Sequence, residues 1–227
     1  MENCHITDEQ SIELEMGFFT HFYWYILVLV TRRGLVLRNL GHRLGASGTK
    51  MENTIDGLMN SLEQVDNRKF KYWEFDIRES LDGIIFVFHD DQIHVDGELI
   101  ETAKLNFSEI MKAGEDLGVK IPTFSEVVEI LGDRKEHVMV EVKELRTDAA
   151  RRTVITAISS KPNWKLMATP TRFLESFPSE SRDYWEGYTR DLGVELVRVG
   201  RHKLDLFSAS KSYFRWKFAQ FKWFFGI

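Results

Sequence analysis

At 227 residues the chain has room for one domain of ordinary α/β-barrel size and little for a second folded domain. Its 43% hydrophobic and 29% charged residues, with only four prolines, exclude global disorder, and a net charge of −5 excludes a broad cationic surface for nucleic acid. Cys4 is the single cysteine, so neither an intrachain disulfide nor a Cys-rich zinc site can form, which fits a reducing compartment.

A polar, acidic stretch opens the sequence and gives way to an almost wholly apolar and aromatic run over residues 17–30, closed by Arg32 and Arg33. A membrane-spanning helix needs about 20 apolar residues. The run is shorter and contains Thr20 and His21, so two readings stand: a shallow membrane anchor, or a buried strand or helix of the domain. Acidic residues before it and arginines after it reverse the order of a secretory signal, so the expected location is cytoplasmic or peripheral to a membrane, not secreted. From Leu35 onward short apolar runs alternate with helical stretches, the rhythm of a β/α fold. Strands are expected over 35–40, 72–77, 84–88, 137–142, 165–168 and 194–199, and helices over 54–65, 107–113, 124–131, 148–159 and 180–192. Asp82-Gly83 marks a tight turn between the second and third strands. Six strands fall short of the eight that close a barrel. The chain thus divides into an N-terminal extension (1–34), a main domain (35–207) and a tail (208–227). In the tail Lys211, Arg215, Lys217 and Lys222 interleave with aromatics, and Phe214, Phe218, Phe221 and Phe225 share one face of a helix. Such a face packs on the domain or lies in a membrane interface.

Charged residues recur where apolar strands carry or end on them. Gly41-His42-Arg43 follows the first expected strand, placing His42 where β/α barrels hold catalytic groups, although a single histidine there can equally cap or fill. Glu74 and Asp76 are separated by one residue inside an apolar strand and therefore point to the same side. Two like charges in an interior call for a partner, and a divalent cation bound by oxygens is one; a solvent-facing edge strand is the alternative. The continuously apolar run at 84–88 reads as a strand buried on both faces of a parallel sheet and ends in His89-Asp90-Asp91. Glu141 and Lys143 share one face of a further apolar strand, as another inward carboxylate or as a plain ion pair.

These pieces together resemble the glycerophosphodiester phosphodiesterase family. The resemblance runs through Gly41-His42-Arg43 with Gly45-Ala46-Ser47, Glu52-Asn53-Thr54, Glu74-Phe75-Asp76-Ile77-Arg78 and Asp82-Gly83. It continues in the same order through His89-Asp90-Asp91, Gly97, the segment from Ile121 to Val127, and Glu141-Val142-Lys143. It implies a TIM-type (β/α) barrel that hydrolyses glycerophosphodiesters to an alcohol and glycerol 3-phosphate with one divalent cation, Ca²⁺ or Mg²⁺. Glu74, Asp76 and Glu141 would hold the cation, Glu52 would support it or the substrate phosphate, Arg43 and Lys143 would neutralise phosphate oxygens, and His42 and His89 would exchange protons. Leu44 separates Arg43 from Gly45, lengthening that loop by one residue relative to the commonest form of the motif. Met167-Ala168-Thr169-Pro170 departs from the family pattern, and nothing after Gly200 resembles its final two strands, so the barrel is expected to be irregular or incompletely closed at its C-terminal end. Two other functions stay open: action on lysophospholipids at a membrane reached through 17–30 or 208–227, and a catalytically silent phosphate- or lipid-binding barrel. A structural α/β domain whose strand-end charges are ion pairs is the plainest alternative.

Overall fold

A computed structural model describes residues 39–198. The apolar run 17–30, the tail 208–227 and the first four residues of the expected strand 35–40 lie outside these. Helix α1 (Ile55–Ser61) and a 3₁₀ turn (Leu62–Asp66) lead into strand β1 (Trp73–Glu79) and strand β2 (Ile85–Val87). A small hairpin follows, β3 (Gln92–Val95) and β4 (Glu98–Glu101), then a 3₁₀ turn (Thr102–Lys104) and helices α2 (Phe107–Asp116) and α3 (Phe124–Leu131). Strand β5 (Val138–Val142), α4 (Asp148–Ser159), β6 (Trp164–Ala168), α5 (Pro170–Ser176), α6 (Arg182–Asp191) and β7 (Leu196–Arg198) complete the described order.

The main sheet has the order β2-β1-β5-β6-β7, with β1, β5, β6 and β7 parallel and β2 antiparallel to β1. It is an α/β fold with a mixed sheet, and among the described residues the sheet does not close into a barrel. No described helix is long and apolar enough to cross a membrane. The expectation that 84–88 belongs to a parallel sheet is corrected by the antiparallel pairs Ile77↔Val87 and Glu79↔Ile85. The connection is too short for anything else: a parallel crossover needs a dozen or more residues, whereas the turn at Asp82-Gly83, with Gly83 at φ 82°, reverses the chain at once. Burial on both faces does hold for this strand. Ile85 and Val87 join the main core, while Phe86 packs with Ile93, Leu105, Ile110, Ala113 and Ile121 in a second one.

Alternation within the parallel strands creates two unlike faces. Trp73, Phe75 and Ile77 of β1, Val138, Val140 and Val142 of β5, and Trp164, Leu166 and Ala168 of β6 face one way and pack with the apolar sides of α3 and α4. The opposite face carries Glu74, Met139 and Lys165 in one row and Asp76, Glu141 and Met167 in the next. Burying the aromatic and aliphatic face, at roughly 1.5–3 kcal/mol per large side chain, is what compensates for charges on the other. Helix α3 begins where the sequence says it should: the Thr123 hydroxyl accepts from the Glu126 amide (3.2 Å) and the Glu126 carboxylate accepts from the Thr123 amide (2.8 Å).

Two elements were not anticipated. The β3–β4 hairpin turns on Asp96 and Gly97, both with positive φ, the chemistry of a two-residue hairpin loop. Helix α5 begins with Pro170 in its first turn, a position that proline tolerates because the missing amide hydrogen has no helical partner there. The expected strand at 35–40 is not continued by its described end, since Asn39 and Leu40 lie outside any strand.

Candidate active site

Strand β1 organises the site. Glu74 and Asp76 lie on its charged face, 3% and 1% exposed, and Asp76 stands directly beside Glu141 of β5, which is 8% exposed. One carboxylate oxygen from each of the three lies within 4.8 Å of the others. The same-side placement expected from their spacing is met, and the solvent-facing alternative is removed by their burial.

Positive charge surrounds this triad. The Lys143 ammonium sits 2.7 Å from Glu141 Oε1 and 3.1 Å from Asp76 Oδ1, so the ion pair expected as an alternative is present and reaches two carboxylates. Arg43 places Nε 3.7 Å from Asp76 Oδ2, but its Nη1 is held at 2.6 Å by Glu52. Glu52 also accepts from the Gly48 amide (2.9 Å), which ties the loop to itself. The Asn53 side chain donates to Asp76 Oδ2 at 2.8 Å, and Asn53 is buried in a left-handed conformation (φ 57°) that asparagine tolerates better than most residues.

This balance leaves the site negative. Burial first, then Asp76 and Glu141, push the Glu74 carboxyl well above the usual carboxylate range. Burial also raises Glu141, against the pull of Lys143. Lys143 is itself held above the usual ammonium range, because Asp76 and Glu141 outweigh the burial that acts against it. Burial together with Glu74 and Glu141 pushes the nearby Tyr72 phenol up to about 12. Glu74 Oε1 is buried without a hydrogen-bond partner. Three convergent carboxylates, one with an oxygen left unsatisfied, fit a hard divalent cation that prefers oxygen donors.

His42 reaches this cluster from a loop that follows Asn39 and Leu40. The Glu74 amide donates to the Gly41 carbonyl and the Leu44 amide donates to the Glu74 carbonyl, both at 2.9 Å, so the loop is stitched on either side of one metal-type carboxylate. A Cβ at Gly41 would stand 2.1 Å from the Tyr72 carbonyl, so only glycine permits this approach. Arg43, Leu44 and Gly45 then run at φ 52°, 57° and 81°. Leu44, the residue by which the loop departs from the family pattern, is fully buried in the main core and anchors the turn. His42 Nε2 lies 3.4 Å from Glu74 Oε2 and Nδ1 lies 2.8 Å from Ser47 Oγ. Burial and Arg43 lower its pKa, against Asp76 and Glu52. His89 follows β2 with Nδ1 2.7 Å from Asp90 Oδ1 and is close enough to act electrostatically on Glu141.

All eight residues singled out in the sequence therefore sit on β1, β5 or the segments beside them. Ser47, Asn53 and Arg78 contact these residues and were given no individual role from sequence. Asn53 and Ser47 lay inside quoted motifs, and Arg78 continues the alternation of Glu74 and Asp76.

Comparison with known proteins places the chain among relatives. The model of the glycerophosphoryl diester phosphodiesterase family matches residues 42–177, more than half of the chain. No curated protein matches it. Among solved structures it is similar to a proposed glycerophosphodiester phosphodiesterase from Galdieria sulphuraria, at 20% identity and TM-score 0.50, over 69% of this chain and 61% of that one. It is also similar to the glycerophosphodiester phosphodiesterase from Thermotoga maritima, at 26% identity and TM-score 0.44, over 61% and 57% of the two chains. A third is a phosphodiesterase from Oleispira antarctica in complex with the product sn-glycerol-3-phosphate, at 19% identity and TM-score 0.41, over 77% and 88%. The chain spans less than two thirds of the length of the first two.

Proposed function

Because this chain belongs to the glycerophosphoryl diester phosphodiesterase family, we propose that it hydrolyses glycerophosphodiesters to an alcohol and glycerol 3-phosphate, using a divalent cation site and a histidine pair. The observation that carries the reading is the buried triad of Glu74, Asp76 and Glu141, whose oxygens converge within 4.8 Å while one of them lacks any partner. Ca²⁺ and Mg²⁺ both suit such a donor set. A bound cation supplies charge neutralisation at the phosphoryl oxygens.

The protein groups divide the remaining work. Arg43 and Lys143 bring fixed positive charge to the phosphate, and Glu52 holds Arg43 in place. His42, whose pKa is lowered by burial and by Arg43, is suited to take the proton of the attacking water. His89 would then deliver a proton to the departing alkoxide. Ser47, hydrogen-bonded to Nδ1, fixes the His42 ring so that Nε2 faces the carboxylates.

The test is release of glycerol 3-phosphate from glycerophosphocholine, with lysophosphatidylcholine run in parallel to separate the two substrate classes. Chelator should abolish turnover, and His42→Ala should lower it roughly 10²–10⁴-fold. Turnover that survives chelation would remove the cation from the reading. Undiminished turnover in His42→Ala would remove the histidine.

A further inference from the structure

Arg78 is the third residue on the charged face of β1, two positions beyond Asp76, and is 1% exposed. Its guanidinium donates to the carbonyl of His89 twice, from Nε at 3.3 Å and from Nη2 at 2.9 Å. Nη2 also pairs with Asp91, and Nη1 lies 3.4 Å from Glu144. Asp91 is gripped a second time by Arg172 of α5, whose Nη2 stands 2.6 Å from both carboxylate oxygens.

The same strand holds the residue before His89, since the Phe88 amide donates to the Asp76 carbonyl at 3.0 Å. The His89 ring, by contrast, meets the Asp90 carboxylate, which is 69% exposed. A pair so open to water fixes a ring weakly. The place of the imidazole is therefore set by its backbone, and β1 grips that backbone from both sides.

Resting on the reading of His89 as one of the proton-transfer pair, we infer that Arg78 is a positioning residue for it. Arg78 clamps the His89 carbonyl and, through Asp91 and Arg172, ties the β2–β3 connection to α5. The imidazole is thereby held in register with the carboxylates that sit on the clamping strand itself. Arginine suits the task because its planar fork serves one carbonyl and two carboxylates at once, whereas a lysine ammonium is a single point of charge. Burying so large a cation demands that its donors be used, and these four contacts use them.

The experiment uses the full chain with ¹⁵N-labelled histidine, comparing the parent with Arg78→Lys and Arg78→Met. In the parent His89 should give one sharp set of imidazole resonances. In folded Arg78→Met that set should broaden or split while the His42 set stays in place, and Arg78→Lys should fall between the two. Turnover of glycerophosphocholine should fall up to roughly 100-fold in Arg78→Met, the scale for a catalytic group displaced by about 1 Å. If Arg78→Met fails to fold, Asp91→Ala leaves the guanidinium and removes its tether, so that a shift confined to His89 supports the clamp and unchanged His89 resonances overturn it. Unchanged His89 resonances in folded Arg78→Met would overturn the inference, as would parent-like turnover in that variant. If the parent releases no glycerol 3-phosphate while His89 still responds to Arg78, the functional reading fails and the positioning role stands.

Discussion

Replacing Glu74 with glutamine should stabilise the cation-free protein and at the same time abolish its stabilisation by cation. Glu74 shares its surroundings with two like charges, each pair having oxygens within 4.8 Å. At an effective dielectric of about 20, one such pair repels by 332/(20 × 4.8), or about 3.5 kcal/mol. Two pairs give about 7 kcal/mol before Lys143 and proton uptake offset them. Glutamine removes that repulsion and can still accept the Arg43 amide hydrogen bond, which Glu74 Oε2 makes at 3.0 Å. Relief of this kind at functional sites commonly amounts to about 0.5–2 kcal/mol. For a chain of this size that is ~1–8 °C in Tm. The parent, in turn, should gain about 2.7 kcal/mol when Ca²⁺ or Mg²⁺ is present at 100 times its Kd. That corresponds to ~5–11 °C. Thermal melts of parent and Glu74→Gln, each in chelator and in excess cation, measure all four corners. A variant that melts below the parent in chelator, or that keeps the cation-dependent rise, would refute the reasoning.

Three further outcomes follow from named contacts. Hydrogen bonds from Arg172 and Arg78 hold the Asp91 carboxyl below its usual range despite the opposing effect of burial. A depressed carboxylate pKa contributes stability that is present above the unfolded value of about 3.9 and is lost as pH falls through the folded one. Asp91→Asn should therefore flatten the acid limb of the melting profile in that window, and an unchanged limb would deny the pairing. Asn53→Ala removes the donor to Asp76 and puts alanine at φ 57°, so cation affinity measured by calorimetric titration should fall roughly 10- to 100-fold. Phe75, between the two β1 carboxylates, faces the core against Phe124 and Trp164. Phe75→Ala should cost about 3–5 kcal/mol in denaturant unfolding, opposite in sign to the change expected one residue away at Glu74.

The fold was legible where periodicity and turn chemistry agreed. Helix α3 at Phe124–Leu131 and α4 at Asp148–Ser159 coincide with the expected 124–131 and 148–159, because each has a threonine cap immediately before an amphipathic run. Strand direction was not legible from hydropathy. The run at 84–88 is buried on both faces, as parallel strands are, because α2, α3 and the small hairpin cover it, yet it is an antiparallel strand at the edge of the described sheet. Only the short Asp82-Gly83 connection carried the correct direction. The hairpin β3–β4 is not legible in the sequence because its exposed strands offer little hydrophobic signal, with Ile93 the one buried residue between them.

The site was more legible than its scaffold for a physical reason. Alternation in a strand is strict, so Glu74 and Asp76 inside an apolar run determine their shared side without knowledge of the tertiary fold. Glu141 required one more step, the in-register pairing of β1 with β5, and an isolated reading left it as a partner for Lys143 alone. The structure makes the two descriptions compatible, since Lys143 bridges Glu141 and Asp76 and still leaves Glu74 Oε1 without a partner. Arg78 obeys the same alternation, but a charge at a strand's end reads as a solvated terminus. Its burial inverts that reading. An arginine fully enclosed on the strand that carries Glu74 and Asp76, yet directed at the carbonyl of His89 and at Asp91, is arranged to hold a neighbouring segment rather than to neutralise the triad. The negative charge of the triad is thus left for Lys143, Arg43 and the proposed cation to balance, and the backbone of His89 is held by Arg78.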